Sequence, residues 1–110
     1  MVKVIIQIPC KDEELTLPST FHDLPKHIPG VDQLEYMIIN DGSSDRTSDI
    51  ARELGFHHIV ELKANRGLGK AFHYGITRGL MLGADIIVNT DGDNQYPGHR
   101  IPDLIAPILA

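Results

Sequence analysis

Cysteine is nearly absent: Cys10 stands alone among 110 residues. A single thiol excludes an internal disulfide and any paired-cysteine metal site, and it is compatible with a reducing compartment. Long apolar runs are missing as well. The first, at residues 4–8, is far shorter than the roughly 20 apolar residues of a spanning helix or the core of a signal peptide. The expectation is a soluble, cytoplasmic chain. Any attachment to the cytoplasmic face of a membrane would lie in sequence not present here. Positive charge is the third deficit. Ten Lys and Arg face fifteen Asp and Glu, for a formal charge of −5. That balance argues against a nucleic-acid partner, which needs a basic stripe to meet phosphates. It suits a domain that gathers carboxylates and neutralises them with a bound cation. The six histidines show no ligand spacing. His57 and His58 are adjacent, so in a strand they face opposite sides. All six read as structural or surface residues.

What is present is an alternation. At 42% hydrophobic and 23% charged residues, the composition is that of one ordinary α/β domain. Apolar runs at 2–8, 34–39 and 85–90 are rich in β-branched residues, the mark of strands covered on both faces. A weaker run at 57–62 belongs nearer an edge. Helical patterns fill 13–27, 44–54, 68–82 and 101–109. The first is the least regular, because Pro18 and Pro25 interrupt it. The second turns Ile50, Ala51 and Leu54 inward and stops at Gly55. In the third, Leu68, Phe72, Ile76 and Leu80 recur every four residues. Beside them Ala71, Gly75 and Gly79 form a small-residue row that lets the helix lie close on a sheet. The fourth has Pro102 in its first turn. The alternation predicts an α/β fold: an open, mostly parallel sheet with helices on both faces, joined by right-handed crossovers. In such sheets ligands bind beyond the carboxyl ends of strands, near a reversal of strand order.

Four clusters carry chemistry. Pro9-Cys10-Lys11-Asp12-Glu13-Glu14 follows the first strand; it reads as acids at a helix N-terminus or as a loop in which backbone and Glu13 hold part of a ligand. Asn40-Asp41-Gly42-Ser43-Ser44-Asp45 follows the second. Capping accounts for Ser43, Ser44 and Asp45, but not for Asp41 at the strand end, where a carboxylate can accept a ring N–H of a nucleobase. Asp91-Gly92-Asp93-Asn94-Gln95 follows the fourth. Two carboxylates one residue apart can reach one hard divalent ion, Mg²⁺ or Mn²⁺, which keeps substrate phosphates in its shell. An EF-hand is excluded: its glycine and final acid would fall on Tyr96 and Pro102. Asn65-Arg66-Gly67-Leu68-Gly69-Lys70 fails as a P-loop, with Ala64 and Ala71 in place of Gly and Ser or Thr. Phe72 breaks the Gly-x-Gly-x-x-Gly pattern. This loop is either a structural turn or a set of N–H groups, with Arg66 or Lys70, turned toward an anion.

In this order the clusters read Pro-x-x-x-Glu-Glu, Asp-Gly-Ser-Ser-Asp-x-Thr, Asn-x-Gly-x-Gly and Asp-Gly-Asp-x-Gln. The series resembles inverting GT-A glycosyltransferases of family 2, and among them the polyprenyl-phosphate sugar transferases of the dolichol-phosphate mannose synthase kind. The resemblance covers nearly the whole chain. It implies a Rossmann-like nucleotide-binding half, in which Pro9, Lys11 and Glu13 match the first nucleotide-contacting loop. Ile39 and Asp41 match the positions that frame the base. Asp91, Gly92 and Asp93 match the Asp-x-Asp motif, whose acids hold the metal and the ribose or diphosphate, and Gln95 matches a residue near that metal. Lys11-Asp12 stands where the family usually has Tyr-Asn, so base stacking is not carried over to position 11. Asn40-Asp41 stands where two acids are common.

The implied reaction is sugar transfer from a nucleoside-diphosphate sugar to a polyprenyl phosphate, with inversion and a divalent metal. Related domains continue well past residue 110, so residues 1–110 are expected to be the donor-binding N-terminal part, with no catalytic base assigned. The alternatives are a donor-binding module without turnover and a sugar-phosphate nucleotidyltransferase. The latter is disfavoured because its first loop is normally Gly-rich and basic.

Overall fold

The structure is a computed structural model that describes residues 1–42, 45–63, 67–90 and 98–109. Strands β1 (Lys3–Cys10), β2 (Gln33–Asp41), β3 (His58–Leu62) and β4 (Ile86–Asn89) alternate with helices α1 (Leu17–Asp23), α2 (Thr47–Leu54) and α3 (Leu68–Met81). A short 3-10 turn at Gly98–Arg100 leads into α4 (Ile101–Leu109). The strands lie in the order β3-β2-β1-β4 and every pairing is parallel. The expected open α/β sheet is present, and β3 is at an edge as its weaker pattern indicates.

β1 is central because it is apolar on both faces. Residues 4–10 are all buried, and alternate positions serve opposite layers. Val4, Ile6, Ile8 and Cys10 pack with Ile38, Leu17, Ala51, Ile101 and Ile105, under α1, α2 and α4. Ile5 joins Met37, Ile39 and Ala71, under α3. Helices therefore cover both faces. Each fully buried Ile or Leu contributes about 1.5–3 kcal/mol relative to exposure, and β1 with β2 supplies most of them.

One helix departs from its sequence pattern, and another shows which of its two rows is buried. α1 begins at Leu17, not near residue 13, and ends at Asp23. Pro18 sits in the first turn, where its missing N–H costs nothing. The chain is already extended at Leu24, as the residue before Pro25 favours. In α3 the small row faces the sheet. Ala71, Gly75 and Gly79 are buried, while Phe72 is 36% and Leu80 64% exposed. The reason is steric: a Cβ at Gly75 would lie 2.1 Å from Gln7 Oε1, and one at Gly79 would lie 2.7 Å from Ile87 Cδ1. α2 ends as expected, with Gly55 left-handed at φ 99° and its N–H bonded to the Ala51 and Arg52 carbonyls.

Candidate functional site

The strand order reverses between β1 and β4. The chain steps outward from β1 through β2 to β3, then returns to the other flank of β1. The loops leaving β1 and β4 therefore start side by side, and the crevice between them is where open α/β sheets bind ligands. Cys10 is opposite Asn40 in the β1–β2 register, so Asp41 ends its strand on this same edge.

The first loop leaves a buried Pro9 and Cys10. Lys11 is half-buried, and Asp12 is exposed with a left-handed φ of 53°. Glu13 is engaged throughout. Its N–H donates to Thr47 Oγ1 at 3.1 Å, its carboxylate accepts the Thr16 hydroxyl at 2.8 Å, and its carbonyl accepts the Thr16 and Leu17 N–H groups. Glu14 N–H donates to Asp45 Oδ2 at 3.2 Å. Asp45 also accepts the Thr47 N–H at 3.0 Å and the Thr47 hydroxyl. Burial works to raise the Asp45 carboxyl, but the hydrogen bonds from Thr47 and Glu14 outweigh it and hold the group below its ordinary value.

At the end of β2 the two base-framing candidates separate. Ile39 is fully buried and packs into the α3-side layer with Ile5, Met37 and Ala71. Asp41 is also fully buried, and its Oδ2 accepts the Gly67 N–H at 2.9 Å. A buried carboxylate without donors would be costly, so this charge-assisted bond ties the end of β2 to the start of α3. Gly67 has φ 88° and ψ 147°, a backbone that other residues rarely adopt. Next to Asp41 a cavity of about 350 Å³ is lined by Asn40, Gly42, Glu61, Leu62 and Lys63. Asn40 is held there by its Nδ2 bond to Ser48 Oγ at 2.6 Å.

Asp91, Gly92, Asp93 and Gln95 lie outside the described residues, as do Ser43, Ser44, Asn65 and Arg66. The anchors of the 91–97 segment are described. Buried Thr90 donates its N–H to the Gln7 carbonyl at 3.0 Å. Buried Gly98 lies so close to α1 that a Cβ would meet the Asp23 carbonyl at 3.1 Å. Among the described residues no three His, Cys, Asp or Glu side chains gather for a metal ion. Lys70 is exposed on α3 beside His73, Tyr74 and Thr77. Cys10 packs in the core. His57 Nδ1 accepts the Tyr36 N–H and His58 bonds Glu35, so both are structural as expected.

Sequence reasoning missed two features: the Asp41–Gly67 bond and the tie between Thr47 and the first loop. The first has no sequence signal, since any residue but proline offers an N–H. The second has a faint one, because Asp-x-Thr before a helix reads as a cap and nothing more.

The sequence matches the family described as "Glycosyl transferase family 2" over residues 5–110. It is 33% identical over 111 residues to the undecaprenyl-phosphate 4-deoxy-4-formamido-L-arabinose transferase of Photorhabdus laumondii, covering 94% of this chain and 33% of that protein. It is 29% identical to the undecaprenyl-phosphate mannosyltransferase of Micrococcus luteus, covering 97% of this chain and 44% of that protein. The fold superposes with a TM-score of 0.77, at 26% identity, on glucosyl-3-phosphoglycerate synthase from Mycobacterium tuberculosis, solved in complex with Mn²⁺, UDP and phosphoglyceric acid. That match covers 99% of this chain and 39% of the solved chain. The chain thus spans less than half the length of these proteins. Among the described residues no helix is long and apolar enough to cross a membrane.

Proposed function

This chain belongs to glycosyl transferase family 2, and from that premise we infer that it binds the nucleoside-diphosphate sugar of an inverting transfer to a polyprenyl phosphate. The observation that carries the reading is the reversal of strand order between β1 and β4, which puts the carboxyl ends of these two strands side by side. Asp41, at the neighbouring strand end, completes the set. The acceptor class follows the relatives, two of which are named for undecaprenyl phosphate. A reaction on such a lipid places the protein at a membrane face, and we propose the cytoplasmic one.

Asp91, Asp93 and Gln95 would hold the metal, Mg²⁺ or Mn²⁺. The donor set fits: two carboxylates and a carboxamide offer only hard oxygen ligands. When bound, a divalent ion supplies Lewis-acid stabilisation of charge on the diphosphate. The remaining work falls to the chain itself. Lys11 and Glu13 would line the nucleoside end, buried Pro9, Ile39 and Asp41 would fix the strand ends that frame it, and Gly92 would belong to the donor-contacting motif. Binding energy far from the reacting carbon then orients it. A phosphate acceptor is already ionised, so little general-base help is needed at this step.

The test is calorimetric titration with UDP, GDP and CDP, with and without Mn²⁺. We expect one nucleotide to bind, with affinity that drops on Asp91→Ala or on omission of metal. Asp41→Ala is expected to weaken nucleotide binding more than pyrophosphate binding. Binding of none of the three, or binding indifferent to metal and to Asp91→Ala, overturns the reading. A second reading is a donor-binding module without turnover. Donor binding with neither sugar transfer nor donor hydrolysis would select it.

A further inference from the structure

The first loop is fastened to α2 by a short chain of hydrogen bonds. Glu13 N–H donates to Thr47 Oγ1, the Thr47 hydroxyl donates to Asp45 Oδ1, and Glu14 N–H donates to Asp45 Oδ2. Thr47 N–H closes the set on Asp45 Oδ1. Thr47 is fully buried, so water cannot take over its hydroxyl's role. Both carboxylate oxygens of Asp45 are used, one for the start of α2 and one for the loop.

This arrangement decides what the loop can offer a ligand. N–H groups ahead of a helix are ordinarily available to an anion. At Glu13 and Glu14 both are spent inside the protein. The loop also carries three acids, Asp12, Glu13 and Glu14, against one cation, Lys11. A diphosphate would find two missing donors and a repelling charge. An uncharged group, a base or a ribose, would find a fixed ledge at residues 11 and 12.

We propose that Asp45 and Thr47 are positioning residues that hold residues 11–14 as a ledge for the nucleoside portion of the donor, with no part in holding its diphosphate. The proposal rests on the nucleotide-sugar reading above. Amide hydrogen exchange on the wild-type chain tests the fastening itself: Glu13 and Glu14 N–H are expected to be protected without nucleotide. Exchange at the rate of open amides overturns it. Titration tests the role. With the nucleotide that binds best among UDP, GDP and CDP, in Mn²⁺, Thr47→Val is expected to raise the Kd about tenfold by freeing the Glu13 amide. Pyrophosphate with Mn²⁺ should bind Thr47→Val as it binds the wild type, and Thr47→Ser should restore nucleotide affinity. Equal weakening for nucleotide and pyrophosphate, or no weakening for either, overturns the proposal. If circular dichroism shows Thr47→Val unfolded, Asp45→Asn is expected to give the same selective loss, and an unselective loss there overturns it equally. Protected amides in a wild-type chain that binds no nucleotide would instead sink the nucleotide-sugar reading, and with it the ligand assigned to the ledge.

Discussion

Gly75 is held to glycine by contact. An added Cβ would lie 2.1 Å from Gln7 Oε1 and 2.8 Å from Ile39 Cδ1. Neither neighbour is free to give way. Ile39 is fully buried, and the Gln7 side chain is fixed by Nε2 bonds to Asn89 Oδ1 at 3.0 Å and to the Phe72 carbonyl at 3.4 Å. Gly75→Ala should therefore lose about 1–3 kcal/mol through overpacking. Gly69, in the same helix, meets nothing within 4 Å of an added Cβ. Gly69→Ala should gain up to about 1 kcal/mol from helix propensity. Urea denaturation of the two variants should give shifts of opposite sign. The row that contains Gly75 was legible in the sequence, because small residues every four positions can only be one helical stripe. Gln7 was not. It interrupts an apolar strand without changing its pattern, and its Oε1 is buried with no hydrogen-bond partner among the described residues. Asp41 was legible as a strand-end acid, but its partner Gly67 lies 26 residues away in the chain.

Three strands are joined at the amino-terminal edge of the sheet by one carboxylate. Glu35 Oε1 of β2 lies 2.8 Å from His58 Nε2 of β3 and 3.4 Å from Lys3 Nζ of β1. The His58 hydrogen bond is the largest influence on the Glu35 carboxyl. Burial opposes it, Lys3 adds to it, and the net effect holds the group below its ordinary value. A folded-state pKa below the unfolded one stabilises the fold above about pH 4.3. That stability is lost as pH falls through the folded value. The stability gap between wild type and Glu35→Gln should thus be open at neutral pH and close below about pH 4, as read by thermal melts across pH. A gap that widens on acidification would contradict the assignment. At this scale the strands and α2–α4 were legible, since their apolar periods are long. α1 was not: residues 13–16 continue a helical pattern, yet Glu13 and Glu14 are bonded to α2 and Pro18 sets the first turn.

The whole molecule buries β1 thoroughly and β4 poorly. Ile86, Ile87 and Val88 are only half-buried, and the outer edge of β4 pairs with no strand among the described residues. Apolar side chains stand exposed on both flanking helices: Leu80 and Met81 on α3, Leu104 and Ile108 on α4. An open edge beside exposed apolar groups favours self-association. Leu80→Lys with Met81→Lys should lower light scattering at high concentration while changing stability by under about 0.5 kcal/mol per site, as for other surface positions. The open sheet was readable from alternation alone. Beyond the edge place of β3, the order of its strands was not, since the three stronger apolar runs pair equally well with one another. That order also sets a schedule for folding. β1 emerges first in synthesis, and β2 can cover one flank once residue 41 exists. The other flank must wait for Ile86 to meet Val4, a contact across most of the chain and therefore a slow one to close. Until then one flank of the most apolar strand of the protein stays unpaired, and a nascent chain stalled before β4 should be the form that chaperones meet.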